Sequence, residues 1–361
     1  MPRNRIISPA MALLVSSGNA TGANQNANLF RINRLTQLDY SWDNPKENIQ
    51  IYGKTASLLR ETTQPPTVNL SFSYYVLGVA NESNLGFTMN SNVSALADII
   101  GKLKDEKNYY IYIAPEGADA DGRSGADPCN VIGVGNGYIS FYSLEGAVGG
   151  FPTASVQVQG LNLRSYASGQ SIPVPAVDPV AGTSLGGAGF TTTIPSLTAA
   201  AGSGVAVIRP GDITINLSNT FGVFHNLPDA CVQSFNISYD LNLQNQQCLG
   251  SRFYRSRDIE FPVDVNLQVE FLATDIIAGN LADFICTTGK YNVENSMKLP
   301  SCAANAPTGM FVSLRGLSLE SQNWSTTAGS APQTLSVTWL GQIGASGDNA
   351  NGIFMTGITN L

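Results

Sequence analysis

Charge is what this chain has least of. Asp, Glu, Lys and Arg make up 12% of its 361 residues, about half the share of an ordinary globular protein. With 43% hydrophobic residues the chain still has material for folded cores, and its length accommodates two domains. Its surface must therefore be built from Asn, Ser, Thr, Gln and Gly, a composition suited to packing against copies of itself. The 19 basic residues are outnumbered by 26 acidic ones, for a net charge of -7. That balance excludes a surface that grips DNA phosphates, although an acidic protein can surround DNA that it repels. No apolar run approaches the length of a membrane-spanning helix, so no membrane anchor is expected.

Reactive side chains are also scarce. The five cysteines, Cys129, Cys231, Cys248, Cys286 and Cys302, include no CxxC pair. Neither a zinc ribbon nor a full disulfide framework follows, and free thiols in a reducing cytosol are expected. His225 is the sole histidine, with no nucleophile motif near it, so it reads as a loop residue and not a catalyst. The GxSxG match at Gly182 to Gly186 places Ser184 in Gly/Ala/Thr-rich chain with no helix after it, which is not the strand–elbow–helix such a serine needs. "GVGNG", Gly133 to Gly137, leads into a strand and not a helix N-terminus; it reads as a tight turn and not a phosphate loop. In "PEGADADGRSGADPC" the acids Glu116, Asp119, Asp121 and Asp127 supply oxygen ligands for Ca²⁺ only in a spacing unlike the EF-hand loop. They are weak metal candidates on a mobile inter-strand loop. No catalytic residue, metal or cofactor is expected.

What the chain has in quantity is alternation. In "PPTVNLSFSYYVL" a proline pair runs into Val68, Leu70, Phe72 and Tyr74 on one face, with Asn69, Ser71 and Ser73 on the other. In "PVDVNLQVEFL" a proline again opens a strand, and Val265-Asn266-Leu267 repeats Val68-Asn69-Leu70. Upstream, "LDYSWDN" and "ISYDLNL" match with Tyr40 set beside Tyr239. Both are followed by a glycine, Gly53 or Gly250, and a basic mixed strand. Downstream, "PTASVQVQGLNL" and "PQTLSVTWLGQI" are proline-led alternating strands closed by glycine. Pro9 before "AMALLVS" pairs with Pro210 before "GDITINLS". The N-terminal "MPRNRIISPAMALLVSSGNA" accordingly reads as a first strand and not a signal peptide, because Pro9 breaks the apolar run and no small-x-small cleavage site follows. Four strand pairs in one order, at offsets of 201, 199, 197 and 180, imply an internal duplication.

The expected organisation is a β-sandwich domain at 1–166, a Gly/Pro/Ala/Ser/Thr-rich linker at 167–204, and a second β-sandwich domain at 205–361. The fold class is all-β with minor helix. The linker lacks the large apolar residues of a core, and its length exceeds what two touching domains need. It is expected to pack along a surface or against a neighbour. Helical spacing is scarce and clearest in "NVSALADIIGKL", where Val93, Leu96, Ala97, Ile100 and Leu103 share a face. Asn90 or Asn92 is the expected cap, with Lys102 and Lys104 at its C-terminal end. A shorter candidate runs from Ile277 to Phe284, capped by Thr274 or Asp275.

Two stretches carry a resemblance. "QIYGKTASLLRETTQPPTVNLSFSYYV" and "NISYDLNLQNQQCLGSRFYRSRDIEFPVDVNLQVEF" are similar to the strand–loop–strand segments of tail tube proteins of long-tailed phages. The likeness covers about 29–87 and 228–285. It implies a tail-tube-like β-sandwich with a flanking helix in each half. It further implies a virion structural protein, in which three chains with two fused domains close a pseudo-hexameric ring and rings stack into a tube for DNA ejection. Partners would be copies of itself, other tail proteins, and double-stranded DNA passing without specific binding. The location would be the virion tail, and the host cytoplasm during assembly. Segments 43–64 and 242–261 would make inter-subunit or inter-ring contacts, with Arg60, Glu61, Arg252, Arg255 and Arg257 at the interface and Arg252, Arg255 and Arg257 facing a neighbour's acids. Asn69, Ser71 and Ser73 would face the lumen or a contact. The N-terminal arm, the long linker and the acidic loop depart from the single-domain pattern. A distal-tail or baseplate component, and a secreted β-sandwich adhesin or lectin-like protein, stand as alternatives.

Overall fold

Val68, Leu70, Phe72 and Tyr74 are all buried, as their alternation requires, and Thr67–Tyr75 is a strand. Its neighbours follow from the same arithmetic of burial. The computed structural model describes residues 10–16, 29–101, 106–123, 129–167, 172–185, 194, 207–217, 230–273, 276, 290–299, 307–325, 333–345 and 347–359. The first half runs β1 (Met11–Ser16), β2 (Leu29–Arg31), β3 (Leu35–Asp43), β4 (Lys46–Ile49), β5 (Leu59–Thr62), β6 (Thr67–Tyr75), α1 (Ala80–Leu85), α2 (Ala97–Gly101), β7 (Lys107–Ile113), β8 (Asn130–Ala147), β9 (Thr153–Gly160) and β10 (Asn162–Ala167). The second runs β11 (Ile213–Asn216), β12 (Val232–Asp240), β13 (Leu243–Gln246), β14 (Ser256–Ile259), β15 (Asp264–Leu272), β16 (Tyr291–Lys298), β17 (Thr308–Ser325), β18 (Thr334–Gln342) and β19 (Gly352–Gly357).

The duplication is visible as equal pairing. β6 lies between β3 and β9, and β15 lies between β12 and β18. β8 and β17 are each 18 residues long, and each changes layers part-way. The N-terminal part of β8 pairs with β7 and β10, its C-terminal part with β9. β17 does the same with β16, β19 and β18. The corner is made by a register shift with one residue in left-handed conformation, Asn136 (φ 54) in β8 and Gly316 (φ 73) in β17. A bulge of this kind is how one strand serves two stacked sheets. The hairpins β4–β5 and β13–β14 also match: Asn48 faces Arg60 as Asn245 faces Arg257, and both loops turn at a glycine with φ 87, Gly53 and Gly250. Register corrects one sequence alignment. Trp42, opposite Val68, is the counterpart of Tyr239, opposite Val265; Tyr40 corresponds to Ile237.

The two halves share a layer. β12 adds to the C-terminal part of β8, so β3-β6-β9-β8-β12-β15-β18-β17 run as eight consecutive antiparallel strands. Inward residues of this layer and of the outer strands form one core from both halves, including Phe72, Tyr109, Val158, Phe271 and Val337. A second apolar cluster covers the far face of β1 and β7, where Leu14, Tyr110 and Tyr112 meet Ile172, Val174 and Ala176 of the segment between the halves. That part of the expected linker is thus packed, with Pro175 crossing β8. A Cβ on Gly135 would sit 2.4 Å from the Pro175 carbonyl oxygen. Backbone cannot yield as a side-chain tip does, so Gly135→Ala is expected to cost about 1–3 kcal/mol, read as a lower urea midpoint. "GVGNG" is therefore a strand segment crossed by chain and bent by a bulge, which corrects the expected turn.

Helix formation differs from its sequence pattern. Within the Val93-to-Leu103 spacing, α2 starts at Ala97, and Lys102, Leu103 and Lys104 lie outside the described residues. Upstream, the Ala95 N–H donates to the Ile353 carbonyl of β19 at 2.7 Å, and Ser94 Oγ accepts from Leu96 N–H at 3.4 Å. Backbone already committed to a strand of the other half cannot join the helix. α1 has no counterpart in the apolar spacing; Glu82 and Asn81 are among its buried residues. The Ile277–Phe284 candidate and its caps, His225, Asp127, Cys286 and Cys302 lie outside the described residues.

Candidate assembly surface

Three features of the shared layer bear on function: its outward face, the joint between the halves, and its two ends. On the outward face of β6, Asn69 is exposed and Ser71 and Ser73 are half-buried; Ser73 Oγ lies 2.8 Å from Ser155 Oγ of β9. Extending that face by register adds Gln157 and Gln159, Ser143 and Glu145, Asn236, Ser238 and Asp240, then Asn266, Gln268 and Glu270. Asp39, Asp43, Glu145, Asp240, Asp264 and Glu270 are carboxylates of this face, Glu320 is exposed at the register shift of β17, and the eight strand segments of this layer contain no lysine or arginine. Alternation puts uncharged amides and hydroxyls, together with Tyr138, Phe141 and Leu340, between these acids, so the charged residues that the strands themselves place on this face are all acidic.

At the joint, register brings Tyr239 opposite Tyr142 and Ile237 opposite Leu144. Contact between the halves leaves these four side chains at most 2% exposed. The Tyr142 and Tyr239 rings stack with centroids 5.7 Å apart, and Phe87 packs on both. Beneath them lies Glu82. Tyr74 O–H donates to its Oε1 at 2.8 Å and Tyr142 O–H at 3.3 Å. Burial pushes the Glu82 carboxyl up to about 7, against the pull of its hydrogen bonds.

The hairpin after β12 closes the joint. Arg257 is 3% exposed. Its guanidinium donates to the Gln159 carbonyl at 2.7 Å and to the Asn136 carbonyl, pairs with Glu106 at 3.2 Å, and stacks 4.2 Å over the Tyr138 ring. Asn136 also bonds Glu106, and its side chain exchanges hydrogen bonds with the Val177 backbone, at 2.8 Å from N–H and 3.2 Å to C=O. Burial lowers the Arg257 pKa, while Glu106 and Tyr138 raise it. Arg257 was expected to face a neighbour's acid; it is instead buried against its own first half, because it shares the inward face of β14 with Ile259. Arg252 and Arg255 are exposed, Arg252 lying against Gly182, and Arg60 and Glu61 are exposed on β5.

Other candidates do not converge. Asp121 pairs with Arg31, whereas Glu116 and Asp119 are exposed, and no group of three metal-ligating side chains occurs among the described residues. Ser184 lies beside a turn and accepts from Arg164 at 3.3 Å. Cys129 is buried, Cys231 and Cys248 are exposed, and none of the three forms a disulfide among the described residues. A cleft of about 290 Å³ beside α1 and β7 includes Asp98 and Lys107, and Asp98 already accepts from Thr88 at 3.0 Å. No helix among the described residues is long and apolar enough to cross a membrane.

No family model matches the sequence, and no curated protein matches it. Among solved structures the chain is similar to one in the cryo-EM structure of the anti-feeding prophage (AFP) baseplate, 6-fold symmetrised. The identity is 11% and the TM-score 0.29, over 46% of this chain and 98% of that one.

Proposed function

We propose that the chain is a virion structural subunit of the tail-tube type. Its two fused domains each supply four strands to the shared layer, three chains close a pseudo-hexameric ring, and rings stack into a conduit for double-stranded DNA. The observation that carries this reading is the outward face of the eight strands, with its carboxylates, amides and hydroxyls and no cation in the strands themselves. Phosphate backbones bind proteins mainly through lysine and arginine. A wall without them, of the same sign as DNA, lets the duplex pass without being held. Asn69, Ser71 and Ser73 then line the lumen.

Negative-stain microscopy of concentrated protein tests assembly: rings or tubes with a central hole are expected, and a persistent monomer overturns the reading. The lumen assignment has its own test. Asn69→Lys combined with Gln268→Lys is expected to leave the rings intact and to create salt-sensitive retention of duplex DNA, at least tenfold above the unmodified tube in about 50 mM salt. Equal retention by both would place the face elsewhere.

A further inference from the structure

The shared layer ends on two strands that differ from their internal counterparts in one respect. β12 has β15 on one side and β8 on the other, whereas β3, its counterpart, has only β6 among the described residues. The C-terminal part of β8 lies between β9 and β12, whereas the corresponding part of β17 has only β18 among the described residues. The side chains record the same difference. Tyr40 is 44% exposed, Trp42 62% and Trp324 48%, while their counterparts Ile237, Tyr239 and Leu144 are 1%, 2% and 0%. Aromatic residues stand exposed at the places where, in the other half, the joint covers apolar ones. Hairpin β4–β5 is exposed along both strands, with Ile49 and Leu59 among its residues, while its counterpart β13–β14 packs on the first half.

We propose that β3 of a second copy of this chain adds to the C-terminal edge of β17, repeating between chains the pairing that β12 makes with β8 within one. The occupant follows from that internal example: the strand that fits such an edge is a copy of β12, and β3 is that copy. The register follows as well. Tyr239 opposite Tyr142 and Ser238 opposite Ser143 translate into Trp42 opposite Gln322 and Ser41 opposite Asn323. Tyr40 then meets Trp324, and two exposed aromatic side chains cover each other. Hairpin β4–β5 rides on the neighbour's second half, placing Arg60 at the counterpart of the Arg257 socket. There the carbonyls of Gly316 and Leu340 replace those of Asn136 and Gln159. Lys290 stands in place of Glu106 and Ser318 in place of Tyr138, so the hairpin grips less firmly between chains than within one. The joint uses two different surfaces, so it propagates head to tail, and it closes when the rotation between halves divides a full turn. Closure also removes both exposed strand edges. This deepens the ring reading and rests on it.

Cysteine pairs test the register, because residues facing each other across antiparallel strands are within disulfide reach. Ser41→Cys with Asn323→Cys in one chain, under mild oxidation, is expected to give covalent dimers and trimers that neither single variant gives. Ser143→Cys with Ser238→Cys is the internal control and is expected to close within the monomer. Rings without the interchain link overturn this joint and leave the ring reading standing. Absence of any oligomer overturns both. A 41–323 link inside a single chain shows that the chain covers its own edge, and also overturns the joint. Trp42→Asp and Trp324→Asp are expected to weaken assembly by about 100-fold with the thermal midpoint of the monomer unchanged. Assembly indifferent to both counts against the proposal.

Discussion

Arg257→Ala is expected to lower the free energy of unfolding by about 3–5 kcal/mol, the range found when one partner of a buried ion pair is removed. The guanidinium serves the Gln159 carbonyl, the Asn136 carbonyl and the Glu106 carboxylate at once, with the Tyr138 ring beneath it. Alanine leaves two backbone acceptors without their donor. Glu106 is 22% exposed and recovers part of its solvation from water, which argues for the lower end of the range. Lysine is expected to recover less than half of the loss, because an ammonium is a point charge and cannot span three acceptors as a planar fork does. Equilibrium urea unfolding of the three proteins measures these differences.

The location of the damage is as informative as its size. β13–β14 is held at its inward face by Arg257 and Ile259, so the variant hairpin should resemble β4–β5, which is exposed along its length. Arg252 and Arg255 lie in the loop of the docked hairpin and are exposed. Limited trypsin digestion is therefore expected to cut the alanine variant at these sites while the core of both halves stays protected. Uniform loss of protection would mean that Arg257 supports the whole fold and not the joint.

The strands and their repetition were legible because burial on a pleated surface requires alternation, and both halves obey it. Alternation cannot distinguish a match from a shift of two residues, since the same face stays inward. Hence the sequence pattern sets Tyr40 beside Tyr239, where pairing with β6 and β15 aligns Trp42. The three arginines of the second hairpin read as one basic run. A signal did exist in the strand "SRDI", where Arg257 alternates with Ile259 and shares its inward face. α1 had none, because it buries Asn81 and Glu82 against specific partners, Asn33 for the first and Tyr74 and Tyr142 for the second. The delayed start of α2 came from a hydrogen bond to β19, more than 250 residues away in sequence. Polar contacts at that separation leave no local pattern.

Glu82 is expected to contribute stability in acid that is lost toward neutral pH, opposite to a carboxylate held in an ion pair. Its folded-state pKa is raised from 4.5 to about 7 by burial beneath Tyr74 and Tyr142. Between those values the native state keeps a proton that the unfolded chain has released. The stabilisation is complete below about pH 4.5 and is lost as pH rises to about 7, with nothing further beyond. A tenfold difference in proton affinity between the folded and unfolded chains is worth about 1.4 kcal/mol, so the whole effect is about 3 kcal/mol. The difference between the wild type and Glu82→Gln isolates this one group and is the quantity to measure. The amide keeps an acceptor for Tyr74 and Tyr142 and carries no charge at any pH. The variant is expected to match the wild type near pH 4.5 and to exceed it by up to about 3 kcal/mol at pH 8. A pH-independent difference between the two would mean that Glu82 does not ionise within the folded joint. Because the Tyr142 ring above it stacks on Tyr239 of the other half, ionisation acts where the halves meet. Tyr239 fluorescence or hydrogen exchange along β12 should therefore report the change before global unfolding does.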